Sequence, residues 1–371
     1  MLSASKKVNK RAGLGEPTCL APKRKAKRVF VGLSGGVDSS VAAFLLKEKG
    51  YDVTGVYIRG YNVDGCAEED ALMARRAAEQ LNIPFYVWDM EREYKSEVVD
   101  YMISAYKRGI TPNPDVMCNK EIKFGLFFKR SMKLGADFIA TGHYARLDEK
   151  THAIYEAKDK TKDQSYFLWT LNEETLKKTL FPLGNLLKSD VRKIAKRANL
   201  PNANRKDSQG ICFLGRLKMP EFLSRFIEEN PGPIITPEGK KIGNHKGLYF
   251  YTLGQRHLGI EGMGGNEIFY VAGKDMGTNS LIVAPKNHPL LFAKTVTLES
   301  VSLISESVKD NSEIFVRVRY RTFPAKAKIN MLKGGKGTIV FEKPVPFVAP
   351  GQSAVFYSSE CEMLGGGVIV S

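Results

Sequence analysis

Nine consecutive residues, Gly32-Leu33-Ser34-Gly35-Gly36-Val37-Asp38-Ser39-Ser40, join an apolar run to a run with helical periodicity. That junction constrains the fold more than any other part of the chain. Residues 28–33 (RVFVGL) read as a short buried strand. Beyond Asp38, the apolar residues Val41, Ala42, Leu45 and Leu46 share one helical face. Glycines between a strand and a helix start let the backbone approach a ligand closely, and the unpaired N–H groups of the first helical turn attract an anion. Phosphate binding is the chemistry expected there. The plainer alternative is a Gly-Ser turn that only caps a helix, with Asp38 favourable to the dipole.

No Lys-Ser or Lys-Thr follows these glycines at Walker spacing, and the pattern does not fit G-x-G-x-x-G. Instead SGGVDSS, residues 34–40, resembles the PP-loop of ATP pyrophosphatases, which split ATP into AMP and pyrophosphate while adenylating an oxygen. The motif stands in the context that gives it meaning, after a strand and before a helix.

At 371 residues the chain is too long for one ordinary core, so two or three domains are expected. Strand-like runs at 52–58, 83–88 and 137–141 alternate with helical patterns at 68–81, 94–106 and 122–132. That alternation predicts an α/β, Rossmann-like domain with a mostly parallel sheet and helices on both faces, whose ligands gather at the carboxyl ends of the strands. Helical signals continue at 173–178 and 189–198. Residues 231–285 are rich in Gly and turns and predict a small β-rich domain. From about 288, runs at 295–303, 314–321, 326–330, 337–341, 353–357 and 368–370 predict a C-terminal β-barrel or sandwich. The expected division is a basic disordered tail at 1–27, a nucleotide-binding domain at 28–215, a central domain at 216–287 and a barrel at 288–371.

The formal charge of +16 calls for a polyanionic partner larger than ATP. About half of the excess lies in the first 28 residues, where Lys6, Lys7, Lys10, Arg11, Lys23, Arg24, Lys25, Lys27 and Arg28 face Glu16 alone. The tail shows neither the apolar core of a secretory signal nor an amphipathic face. No apolar run is long enough to span a bilayer, so the expectation is a cytoplasmic protein with no membrane partner. Five cysteines (Cys19, Cys66, Cys118, Cys212 and Cys361) are scattered without a C-x-x-C pair, which excludes a disulfide framework and zinc-finger spacing. No metal site is expected from histidine spacing.

Cys118 follows a Pro-broken stretch, TPNPDVMCNK at 111–120, which reads as a stiff polar loop ahead of a helix. A thiol there, near a helix N-terminus, should have a lowered pKa. The same is expected of Cys212 in RKDSQGICFL, with Arg205 and Lys206 close by. Either cysteine could instead be buried and inert. Cys66 and Cys361 read as bystanders. Arg317, Arg319 and Arg321 alternate with Val316, Val318 and Tyr320, which puts the arginines on one face of a strand. That face is either solvated or set against a phosphate backbone. His143 is either packed in the fold or a general base.

PNPDVMCN (112–119), GHYAR (142–146), KDQSYFL (162–168), SQGICF (208–213) and YTLGQRHLGI (251–260), taken together and in this order, resemble the tRNA-specific 2-thiouridylase family. The likeness runs from about Arg28 to the end of the chain. It implies ATP-dependent 2-thiolation of the wobble uridine in tRNAs for Lys, Glu and Gln. Residues Gly32, Leu33, Ser34, Gly35, Gly36, Val37, Asp38 and Ser39 would bind ATP, assisted by Mg²⁺, with Ile58 against the adenine and Gly142 lining the site. Asn113, Pro114 and Asp115 would surround the target base. His143, Lys162, Asp163, Gln164, Arg319, Tyr320 and Gln352 would contact tRNA. Cys118 would be the nucleophile and Cys212 the persulfide carrier, charged by a sulfur-donor protein, in an enzyme acting as a monomer. An iron–sulfur cluster on Cys118, Cys212 and Asp115 is a second way to deliver sulfur. Two other classes compete: a PP-loop synthetase adenylating a small carboxylate, and a noncatalytic RNA-binding protein.

Overall fold

The computed structural model of the chain describes residues 26–62, 65–207, 217–256, 258, 268–305 and 307–371. Residues 1–25 of the basic tail, Cys212 and the whole of SQGICF lie outside them, as do residues 257, 259 and 260 of YTLGQRHLGI.

The N-terminal part is built on five parallel strands: β1 (Arg28–Gly32), β2 (Asp52–Arg59), β3 (Phe85–Asp89), β4 (Phe138–Ala140) and, after an intervening hairpin, β7 (Thr179–Leu180). Their order is β3-β2-β1-β4-β7. β1 is buried on both faces, as a central parallel strand must be. Val29 and Val31 pack with Val37, Val41 and Ala42 of helix α1 (Val37–Glu48) and with Val191 of the helix Lys188–Arg197. Phe30 faces the opposite layer, with Met102 and Phe127. Since β1 has β2 on one side and β4 on the other, the chain turns in opposite directions after β1 and β4, and a crevice opens between their carboxyl ends. The PP-loop follows β1 there, and Gly142-His143 follows β4.

The opposite layer departs from the expected helices. Glu91–Tyr94 and Tyr101–Lys107 are α-helical, but Lys95–Asp100 between them is a π-helix. Residues 114–133 form a second composite helix. Asn113 is its N-cap and accepts from the Val116 N–H at 3.4 Å, Pro114 opens it, and Cys118–Phe127 is π-helical. The expectation of a loop through Cys118 is therefore corrected. Pro114 is tolerated because the first helical turn needs no N–H from it, so the proline starts the helix rather than preventing it.

The central part is a four-stranded sheet of β8 (Gly232–Ile235), β9 (Lys241–His245), β10 (Phe269–Asp275) and β11 (Ser280–Pro285), in the order β10-β11-β8-β9. The C-terminal part is a closed barrel of β12 (Phe292–Leu303), β13 (Ser312–Arg317), β14 (Ala325–Leu332), β15 (Lys336–Pro346), β16 (Ser353–Tyr357) and β17 (Glu362–Ile369). Closure comes from β12, which pairs with both β15 and β17.

Sequence reading missed the way the barrel is attached. The hairpin of β5 (Ala145–Leu147) and β6 (Ile154–Glu156), from the N-terminal part, extends the barrel sheet through β17. Tyr166 and Trp169 reinforce this joint: the Tyr166 hydroxyl donates to the Ser353 carbonyl at 2.9 Å, and the Trp169 indole N–H donates to Ser353 Oγ at 3.0 Å. One hydrophobic core runs from Phe30 through Cys118 and Tyr166 to Val355 and Met363. The arginine strand is also corrected. β13 stops at Arg317, Arg321 has a left-handed backbone (φ 66°), and the three arginines do not share a face.

Candidate functional site

The loop after β1 is held from within. Ser34 N–H donates to Ser39 Oγ at 3.1 Å, and the hydroxyls of Ser39 and Ser40 each donate to the Gly36 carbonyl at 3.2 Å. From outside, Asn202 Nδ2 donates to the carbonyls of Gly35 and Gly36 at 2.9 and 3.0 Å. Gly35 has φ +76°, and a Cβ there would lie 2.5 Å from the Asp70 carbonyl oxygen. Gly142 comes in from β4 so closely that a Cβ would sit 2.7 Å from the Ser39 amide nitrogen. Gly36, the N-cap of α1, has no side chain to satisfy the first-turn amides. The result is a rigid bend presenting helix amides to an anion. Ile58 lies near the carboxyl end of β2, half-buried against the core.

Asp38 anchors a network of charges. It accepts from the Tyr144 hydroxyl at 2.8 Å and from Lys188 Nζ at 2.7 and 2.8 Å. Burial and the facing Asp38 push the Tyr144 hydroxyl up, so it stays a donor. Lys188 also reaches Asp207 at 2.9 Å, which in turn binds Lys162 at 2.6 Å and Arg192 at 2.5 Å. Burial opposes ionisation of Asp207, but hydrogen bonds from Lys162 and Lys188 prevail and hold its carboxyl down to about 2.

A second cluster surrounds Cys118, which is only 3 % exposed. Burial pushes its thiol up; the charge of Lys123 and a hydrogen bond from the Tyr94 hydroxyl oppose the rise, and Asp115 adds to it. The expected lowering of the Cys118 pKa is thus corrected, because the sulfur sits within a helix and inside the core rather than on a polar loop. Burial likewise raises Asp115 against Lys123. His143 is held well below its usual value by burial and then by Lys123, so the ring is neutral. Its Nδ1 lies 2.8 Å from the Thr141 hydroxyl, and the ring packs on Phe124 and Phe181. Lys123 is thus the cation common to Cys118, Asp115 and His143. Cys118 and Lys123 lie five residues apart on one π-helical segment, whose backbone bonds run from i to i+5.

The barrel covers this cluster. Gln352 Nε2 donates to the carbonyls of Thr111 and Pro112, both at 3.0 Å, and the Thr111 N–H donates to the Pro350 carbonyl at 3.2 Å. Asn113 shares a side-chain hydrogen bond with the buried Tyr166. Asn119 Nδ2 donates to the Phe167 carbonyl at 3.1 Å, and the Phe167 ring lies 4.5 Å from that of Tyr320. Asn113, Pro114, Asp115, Cys118, Tyr320 and Gln352 therefore border one region, and Gly142-His143 links it to the PP-loop.

Other anticipated residues are engaged internally. Lys162 is on Asp207. Asp163 is buried, accepting from the Ala157 N–H at 2.9 Å and pairing with Arg317 at 3.2 Å. Gln164 Oε1 accepts from the Tyr144 N–H at 3.0 Å, and Arg319 donates to the Leu253 carbonyl. Sequence reading missed Lys123, Lys188, Arg192, Asn202 and Asp207. Lys188 is 150 residues from Asp38, and nothing local signals that pairing. Among the described residues no group of three or more His, Cys, Asp or Glu side chains is arranged to hold a metal ion. Among them, too, no helix is long and apolar enough to cross a membrane.

Comparison with known proteins covers nearly the whole chain. Residues 27–216 match the tRNA methyl transferase HUP domain, 220–285 the tRNA methyl transferase PRC-barrel domain and 293–369 the aminomethyltransferase beta-barrel domain. The chain is 47% identical over 355 residues to the tRNA-specific 2-thiouridylase MnmA 1 of Geobacillus kaustophilus, covering 93% of this chain and 96% of that one. It is 45% identical to the tRNA-specific 2-thiouridylase MnmA of Bacillus subtilis, over 92% of this chain and 94% of the relative. To the protein of that name from Methylobacillus flagellatus it is also 45% identical, over 93% and 99%.

Proposed function

The chain belongs to the tRNA-specific 2-thiouridylase family and is an ATP-dependent tRNA sulfurtransferase, and from that premise we propose how its own residues divide the work. The carboxylate-activating synthetase and the noncatalytic RNA-binding protein give way to this family membership.

Residues 32–39 and Gly142 hold the ATP phosphates at the uncapped start of α1, and Ile58 rests against the adenine. The geometry fits: a polyphosphate needs bare amides, and Gly36 leaves them bare. Mg²⁺ would neutralise phosphate charge when bound with ATP; Asp38, whose two oxygens accept from Lys188 and Tyr144, holds the loop rather than the ion. The wobble uridine of tRNAs for Lys, Glu and Gln leaves its stack and enters beside Asn113, Pro114 and Asp115. Lys162, Gln164, Arg319, Tyr320 and Gln352 form the tRNA-facing frame. Asp163 and His143, both buried, act through the residues they position.

Uridine O2 attacks the α-phosphorus and pyrophosphate leaves, turning a poor leaving group into AMP. Cys212 carries a persulfide delivered by a donor protein. Cys118 loses its proton, which Lys123 favours, and its thiolate attacks the Cys212 Sγ of that persulfide. The S–S bond breaks, hydrosulfide departs, and a Cys118–Cys212 disulfide remains. Hydrosulfide adds to C2 and expels AMP. Alternatively the Cys118 thiolate attacks C2 first and expels AMP, the terminal persulfide sulfur displaces Cys118 from C2, and the freed Cys118 thiolate then attacks Cys212 Sγ and releases 2-thiouridine. Both routes end in the same disulfide, which a thiol reductant resets with two electrons. We place the reaction in the cytoplasm, in a monomer.

The observation that carries this reading is the buried Cys118 beside Lys123 and Asp115, under a loop clamped by Gln352. Nucleoside mass spectrometry of tRNA tests it, using cells that lack the protein and are complemented with wild type, Cys118→Ser or Cys212→Ser. Only wild type should restore 2-thiouridine. Restoration by either serine variant would refute the assigned roles.

A further inference from the structure

We propose that Phe323, with Arg321 beside it, is a stacking platform for an unpaired nucleobase of the tRNA anticodon loop next to the target uridine. The inference deepens the functional reading above and rests on it. Isolated exposed apolar side chains are ordinary, so exposure alone would carry nothing. At 95 % exposure, however, Phe323 stands in a loop that the fold holds in place and aims. β13 ends at Arg317, and the next residues are pinned: Arg319 donates to the Leu253 carbonyl of the central part, and the Thr322 hydroxyl donates to the Arg319 carbonyl at 2.8 Å. Arg321 adopts a left-handed backbone (φ 66°) and lays its guanidinium over the Tyr320 ring, 5.1 Å from the centroid. Pro324 restricts the backbone of Phe323.

Below this tip, Tyr320 packs on Phe167, whose carbonyl accepts from Asn119, the neighbour of Cys118. The tip therefore stands on the same stack of side chains that borders the Cys118 pocket. An exposed ring beside an exposed guanidinium is how proteins hold single-stranded nucleic acid: the ring takes a base face and the cation takes a phosphate. An anticodon loop that gives up one base to the pocket offers unstacked neighbours for such a platform.

The test uses the full chain with three RNAs: an anticodon stem-loop, an acceptor minihelix with a single-stranded end, and a blunt duplex. Phe323→Ala should weaken stem-loop binding roughly 5- to 150-fold, the loss expected for one base stack, with unchanged melting temperature and ATP affinity. The salt dependence of binding should keep its slope in Phe323→Ala and become shallower in Arg321→Gln. Since Trp88 and Trp169 are both buried, the Phe323→Trp indole should report directly, its fluorescence quenched by the stem-loop and not by the duplex. Undiminished stem-loop binding by Phe323→Ala, an unquenched indole, or a loss confined to the minihelix would overturn the proposal. Wild-type thiolation is run alongside. Its absence would refute the functional reading itself, whereas active wild type with an indifferent Phe323→Ala refutes only this inference.

Discussion

The PP-loop and the Cys118 pocket adjoin each other yet are built by opposite means. The loop is largely local: its serines and glycines lie within seven residues and bond one another. The pocket is assembled at long range, with Cys118 and Lys123 from a π-helical turn, His143 from beyond β4, and Gln352 from the barrel. A local motif carries its geometry wherever it is placed. A pocket built from distant parts exists only when the parts dock, so its chemistry is tied to the integrity of the whole chain.

This contrast can be attacked at several strengths. The largest effect is expected from Gly35→Ala, which forces an L side chain to φ +76° with its Cβ 2.5 Å from a carbonyl oxygen. tRNA-dependent AMP release should fall by on the order of 100-fold or more, because the phosphate cradle shifts. Near-normal turnover would mean that the loop is not a rigid element. Gln352→Ala probes the assembled pocket. It removes two donors from the 111–112 carbonyls, and thiolation should drop roughly tenfold while ATP binding stays intact. An equal loss of ATP affinity would erase the distinction between the two regions.

Cys118 provides a finer measure. Since burial raises its thiol, alkylation of the tRNA-free enzyme by iodoacetamide should be slow at neutral pH. Its midpoint should lie above that of an ordinary thiol, and Lys123→Gln should move the midpoint higher still. A midpoint below the ordinary value would contradict the burial account. The smallest effect concerns Asp207. Its folded pKa is depressed to about 2, so its contribution to stability is present above the ordinary carboxylate value and is lost as pH falls toward 2. Asp207→Asn should therefore lower stability at pH 7, and its difference from wild type should shrink as pH falls toward 2, which flattens acid unfolding monitored by circular dichroism.

What the sequence disclosed follows the same division. The strand–glycine–helix junction, the parallel sheet and the three-part order were legible because periodicity and turn chemistry are local. The β5–β6 hairpin was not, for each strand is three residues long and the hairpin is held by the pairing of β6 with β17, some 200 residues away. The state of Cys118 was misread for a related reason: Pro114 signals a helix start or a loop equally well, and only burial decides. The alternation of Arg317, Arg319 and Arg321 looked like a strand face. Arg317 turned inward to Glu156 and Asp163, and the strand ended there. Lys123 was legible only in retrospect, five residues from Cys118 in a register that ordinary helical periodicity does not suggest.

The central claim is that one ATP-activated uridine is served by two thiols that finish as a pair. Its most direct test is a single turnover of persulfide-loaded enzyme without reductant, followed by peptide mass mapping. The account predicts a Cys118–Cys212 disulfide formed in step with 2-thiouridine, one for one. Thiouridine appearing at full yield with both cysteines still reduced would contradict it.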